Sequence, residues 1–184
     1  MTGRGPSEGA LPSPHASASG AVVIGLGNLY RSDDGVGPEV LSRLREEGGD
    51  LARWETCSDE TTELLQLWEG AAFAVVVDAV LSGSAPGTVH RLVEGEDPIP
   101  PEGRSASTHA VALPEVIGLA RALGQMPRRL IVYGVEAASF DTGQGLSAAV
   151  RARVPLVAQR VLSEVRAFRR GAAGGNGAGE RAHA

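Results

Sequence analysis

The chain has 184 residues, 42% of them hydrophobic, which is enough for one good core and too little for two full domains. Its formal net charge of -5 and pI near 5.4 supply no basic footprint of the kind nucleic-acid binding needs, so no nucleic-acid partner is expected. A lone cysteine, Cys57, excludes an internal disulfide and an all-cysteine metal site, and a reducing, cytoplasmic setting suits it best.

Residues 1–20 are rich in Gly, Ser, Pro and Ala and lack the continuous apolar stretch of a signal peptide, so they read as a disordered leader. Ala21 to Ile24 is a short apolar run that ends in glycines, as a buried strand feeding a loop does. Gly37 to Glu47 carries Val40, Leu41 and Leu44 at helical spacing, with Ser32, Asp33 and Asp34 available as caps. A second strand is expected at Ala52 to Thr56. It is followed by a helix that Asp59 can cap, that contains Leu64, Leu65, Leu67 and Trp68, and that Gly70 can end. Phe73 to Val77 is apolar on both faces and reads as a central strand covered by helices on each side, with Asp78 at its carboxyl end.

Thr88 to Val93 alternates with His90 and Arg91 and suits a strand near the sheet edge. A loop over Glu94 to Ala106 leads to a helix from His109 to Leu123, capped by Ser107 or Thr108, with Pro114 tolerated in its first turn. Leu130 to Val135 is a further strand, and Ser147 to Arg169 reads as one long closing helix. Residues 171–184 have almost no side chain large enough to bury and read as a disordered Gly/Ala-rich tail, leaving 21–170 as a single folded domain. Alternating strands and helices imply an α/β fold, a three-layer α/β/α sandwich around a twisted, mostly parallel sheet of about five strands. No apolar stretch reaches the ~20 residues of a membrane span, so no membrane partner is expected, and a monomer is the default.

In an open α/β sheet, ligands gather beyond the carboxyl ends of strands. Three positions there carry chemistry: the pair Asp33 and Asp34 in GLGNLYRSDDGVG, Asp78 after VVV, and His109 in SASTHAVAL. Each has a structural explanation of its own as a helix cap or loop hydrogen bond. Brought together at one rim, two carboxylates and an imidazole suit a borderline divalent ion such as nickel or zinc. His90 reads as solvent-facing, His15 and His183 fall in the unstructured ends, and Cys57 reads as a small buried residue. The dinucleotide fingerprint is incomplete, because Asn28, Leu29 and Tyr30 stand where its third glycine belongs, and an acidic loop repels phosphate. No G-x-S-x-G elbow and no H-E-x-x-H helix occurs.

Four blocks, in this order, resemble the NiFe-hydrogenase maturation endopeptidases: GLGNLYRSDDGVGPEV, VVVDAVLSGSAPGTVHRL, STHAVALPEVIGLARALGQMP and YGVEAASFDTGQGLSAAV. The resemblance implies an endopeptidase that removes the C-terminal extension of a NiFe-hydrogenase large-subunit precursor after nickel insertion. It also implies recognition of the substrate's own nickel by Asp34, Asp78 and His109, with Asp33 in possible support and no permanently bound cofactor. Two departures mark the chain: Asp34 stands where glutamate is common, one methylene shorter, and CSDETTELL lacks a glycine-threonine-glycine pattern found in some members. Glu136, at the end of a strand, reads as a loop cap, with substrate binding as the other reading. The alternatives are a nucleotide-dependent oxidoreductase and a nickel-sensing docking or chaperone module that does not cut.

Overall fold

A computed structural model describes residues 20–58, 61–97, 113–143 and 145–175. The expected leader before Gly20, the caps Asp59, Ser107 and Thr108, His109 itself and the end of the expected tail lie outside the described residues.

Five strands form one sheet: β1 (Ala21–Leu26), β2 (Arg53–Cys57), β3 (Phe73–Val80), β4 (Val89–Val93) and β5 (Arg129–Glu136). Their spatial order is β2-β1-β3-β5-β4, parallel throughout except for β4, which pairs antiparallel with β5 at the edge. The helices α1 (Val36–Gly48), α2 (Thr61–Trp68), α3 (Leu113–Leu123), α4 (Ala148–Arg151) and α5 (Val154–Gly175) cover both faces. The α/β sandwich expected from the alternating pattern is therefore the observed fold.

Why the sheet is buried on both sides is visible in its period-two alternation. Val23, Val75, Val77, Ile131 and Tyr133 point to the layer holding Val40, Leu41 and Leu44 of α1 and Val157, Val161 and Val165 of α5. Val22, Ile24, Ala74, Val76, Leu130 and Val132 point the other way, onto Leu64, Leu65 and Trp68 of α2 and Val116, Ile117 and Ala120 of α3. A strand that feeds both cores has no polar face to show, and β1 is buried along all six of its residues.

The connections that leave β1 and β3 run in opposite directions: from β1 the chain moves through α1 outward to β2, and from β3 it moves the other way, to β4 and β5. The crevice between the carboxyl ends of β1 and β3 is thus a topological switch point, where no crossover covers the strand ends.

Three local expectations need correction. The first turn of α1 is not capped by Ser32, Asp33 or Asp34: those residues form a 3-10 turn, the N-cap is Gly35, and no side chain caps the helix. The closing helix is two helices, because Pro155 has no N–H to give to Arg151 and its ring collides with that carbonyl, so the chain breaks at Ala152 and Arg153 and restarts as α5. That second helix runs to Gly175, five residues into the stretch read as tail.

Candidate functional site

Backbone proximity creates the loop after β1. A Cβ on Gly37 would lie 2.1 Å from the Leu26 carbonyl oxygen and 2.8 Å from that of Val77, so the start of α1 rests directly on the ends of β1 and β3. A Cβ on Gly25 would lie 2.5 Å from the Gly37 carbonyl oxygen, the reciprocal contact. Gly25 and Gly37 therefore serve close packing of a helix start on a strand end.

Inside this loop the chain bonds to itself. The Asn28 N–H donates to Asp34 Oδ2 at 3.0 Å, the Tyr30 N–H to Asn28 Oδ1 at 2.9 Å and the Asp34 N–H to the Arg31 carbonyl at 3.1 Å. Asp34 is buried, and its carboxylate is held at the mouth of β1. Asp78 stands in β3, which continues past the expected end to Val80 while still paired with β5. Alternation places Asp78 on the face of Ala74 and Val76, and its Oδ1 accepts the Ala79 N–H at 2.8 Å. Gly25 is registered opposite Val77, so Asp78 is one step further along, beside the end of β1 and the loop that carries Asp34.

The helix that His109 precedes packs on this same face. Its carboxyl end lies near the start of β5, where the Arg129 N–H reaches the Ala72 carbonyl at 3.2 Å, so its amino end at Leu113 is directed toward the rim that holds Asp34 and Asp78. His109 is four residues before Leu113 and outside the described residues. Among the described residues alone, no three His, Cys, Asp or Glu side chains converge as a metal site. Two carboxylates by themselves are hard oxygen donors; the imidazole is what would shift their preference toward nickel or zinc.

Asp33 has a different office from its neighbour. Its side chain is buried, Oδ2 accepts the Ala138 N–H at 2.8 Å and Oδ1 the Ser147 N–H at 2.6 Å. It ties the loop after β1 to the loop after β5, with both oxygens engaged by backbone amides.

Glu136, at the end of β5, is buried, and Oε1 accepts the N–H groups of Ser82 and Gly83 at 2.8 Å and of Ser84 at 3.1 Å. Oε2 accepts the Ser82 hydroxyl at 2.7 Å and lies 3.4 Å from His90 Nε2. The expected loop cap is what the structure holds, and it corrects His90, which is half-buried against this carboxylate rather than merely solvent-facing. Burial by itself pushes Glu136 up, but the Ser82 hydroxyl, the Gly83 and Ser82 amides and His90 outweigh it and hold the carboxyl below the usual 4.5. A carboxyl lowered by folding stabilises the fold fully above its unfolded-state value and loses that contribution as pH falls through the folded-state value. Glu136→Gln is accordingly expected to cost about 1–3 kcal/mol at neutral pH. In urea melts the gap to wild type should shrink as pH drops below 4.5; a gap independent of pH would refute the charged cap.

Sequence reasoning passed over a groove of about 300 Å³ beside the Asp34 loop, lined by Leu29, Tyr30, Ser32, Gly35, Glu39, Gly145 and Leu146. The available signal was an apolar pair, Leu29 and Tyr30, inside a polar loop; they are 50% and 66% exposed. Cys57 is buried at the end of β2, as expected.

The family model for hydrogenase maturation protease matches residues 60–164, which include Asp78, His109 and Glu136. The chain is 31% identical over 141 residues to the hydrogenase expression/formation protein HupM of Azotobacter chroococcum mcd 1, covering 75% of this chain and 68% of that one. It is 28% identical over 149 residues to the hydrogenase 2 maturation protease of Escherichia coli (strain K12), covering 79% and 90%. In fold it is similar to the hydrogenase maturating endopeptidase HybD from E. coli, with a TM-score of 0.64 at 23% identity over 79% of this chain and 91% of that one. A likeness of the same kind holds for the [NiFe] hydrogenase maturation protease HycI from Thermococcus kodakarensis KOD1, with a TM-score of 0.61 at 22% identity over 79% and 92%. At those identities the two structures speak for the fold, while the family model and the sequence relatives speak for descent. Taken with the switch-point placement of Asp34 and Asp78, they identify the chain as a peptidase that belongs to the hydrogenase maturation protease family.

Proposed function

We propose that this peptidase removes the C-terminal extension of a NiFe-hydrogenase large-subunit precursor once nickel has been inserted, reading the nickel that arrives with the substrate. The observation that supports this reading is the placement of Asp34 and Asp78 at the crevice between β1 and β3, with α3, the helix that follows His109 in sequence, packed on the Asp78 face. Two carboxylates and an imidazole leave coordination positions for the donors the substrate keeps, so the ion can register the scissile bond and polarise its carbonyl or an attacking water. The enzyme then needs no resident cofactor, and a nickel-free precursor fails for want of the shared ligand. Asp33, engaged by two amides, holds its neighbour in place rather than taking a proton. Acting on a precursor before it is assembled fits a cytoplasmic enzyme, and no described helix is long and apolar enough to cross a membrane.

The test is to incubate the purified chain with nickel-loaded and nickel-free precursor and to follow intact mass. Loss of a short C-terminal peptide from the loaded form alone is expected. Equal cutting of both forms would remove nickel from the reading. No cutting of either, with a native partner that demonstrably binds, would favour a docking module that senses nickel without hydrolysis.

A further inference from the structure

The groove beside Asp34 is built from two segments about a hundred residues apart in sequence, and their connection is the informative part. Ser32 N–H donates to the Gly143 carbonyl at 2.9 Å and Gly143 N–H to the Tyr30 carbonyl at 3.0 Å, a short parallel bridge centred on Arg31 and Gly143. The Ser32 hydroxyl donates to the Asp141 carbonyl at 3.0 Å, and Ser32 itself is held at φ 49, an unusual value for a residue other than glycine. Beneath this bridge lies Asp33. Its two oxygens take the amides of Ala138 and Ser147, which are the two feet of the loop between β5 and α4. A single buried carboxylate thus spans the base of the loop whose last residues before Ser147, Gly145 and Leu146, line the groove together with Leu29 and Tyr30.

We infer that this groove is a specificity-determining seat for a stretch of the substrate's own chain, and that Asp33 is the positioning residue that sets its width. The inference rests on the proposed function and names where that substrate is gripped. Three observations choose the occupant. The groove adjoins the candidate site: its lining residue Leu29 follows Asn28, whose N–H donates to Asp34, and its lining residue Gly35 follows Asp34 itself. Leu29 and Tyr30 expose an aliphatic and an aromatic side chain of the kind that anchors a partner chain rather than a small polar ligand. Among the described lining residues Glu39 is the one carboxylate, so a segment that places a cationic side chain beside its apolar one is favoured over an acidic segment.

Asparagine at position 33 keeps the shape but has one acceptor where two amides point, so one foot of the loop loses its partner and the groove wall loosens. The experiment measures affinity for the nickel-loaded precursor, separately from cutting, for wild type, Asp33→Asn, Leu29→Ala, Tyr30→Ala and the Asp33→Asn/Tyr30→Ala pair. The solvent-exposed Leu29 and Tyr30 variants should keep the wild-type melting temperature and lose about tenfold in affinity. Asp33→Asn should lose a similar factor in affinity with KM raised, and the pair should lose no more than the worse single change. Unaltered affinity in the Leu29 and Tyr30 variants overturns the seat. Additive losses, or an unaltered KM for Asp33→Asn, overturn the positioning role. Wild type that binds the precursor but leaves its mass unchanged sinks the proteolytic reading alone, whereas wild type that does not bind it sinks both.

Discussion

Asp34→Asn and Asp78→Asn are each expected to reduce cleavage of a nickel-loaded precursor by at least about 100-fold, while leaving the urea midpoint close to that of wild type. The size follows from the roles proposed: asparagine retains the shape and one acceptor oxygen but removes the negative charge that a divalent ion demands. Stability should survive because asparagine keeps an acceptor oxygen at each position. Asp34 Oδ2 takes one backbone amide, and Asp78 Oδ1 takes the amide next to it, both of which an asparagine carbonyl can still accept. Intact-mass kinetics alongside denaturation curves decide the matter. A variant that folds and cuts at the wild-type rate would remove its carboxylate from the site, and one that loses activity only through unfolding would recast it as a structural residue.

Gly27→Ala is the second large effect, and here both fold and activity should fail together. Gly27 sits at φ 116, where an L side chain is strained, and a Cβ there would lie 1.9 Å from the Asp34 carbonyl oxygen. The clash is with backbone, so no rotamer change relieves it; either Asp34 moves or the loop opens. A loss on the order of 3 kcal/mol or more is expected in urea unfolding, with cleavage reduced in the fraction that remains folded. Gly70→Ala offers a contrast: it shares a positive φ, of 68, but a Cβ would meet nothing within 4 Å, so its cost should be confined to about 1 kcal/mol of backbone strain. Similar losses for the two variants would mean that close approach, as opposed to φ, matters little at position 27.

Asp33 and Glu136 together explain why this rim is rigid enough to hold two carboxylates. Each is a buried acid that accepts backbone amides of a loop leaving a different strand: Glu136, through one oxygen, those of residues 82–84 after β3, and Asp33, through both, those of Ala138 and Ser147 after β5. Loops positioned in this way resist the drift that would otherwise separate a site assembled from three connections. In the sequence both acids resemble candidate catalytic groups, and what distinguishes them is which donors surround the carboxylate.

The amino-acid order was sufficient for the architecture because burial leaves a periodic trace. Runs such as Phe73 to Val77, apolar on both faces, mark a central strand, and Val40, Leu41 and Leu44 mark a helix stripe, irrespective of what they pack against. It was also sufficient to nominate the pair Asp33 and Asp34 together with Asp78, since strand-end acids in an α/β pattern fall where crossovers leave the sheet open, while the choice of Asp34 within the pair came from the family resemblance. Three outcomes waited on tertiary contacts. Asp33 and Asp34 are chemically identical neighbours, and their separate fates depend on amides more than a hundred residues away. The break at Ala152 depends on where Pro155 falls relative to a helix start at Ser147, and the groove beside Leu29 exists only once the loop after β5 has been tied down. Local pattern encodes which side of an element faces inward; pairings between distant loops leave no periodicity, so only the folded chain discloses them.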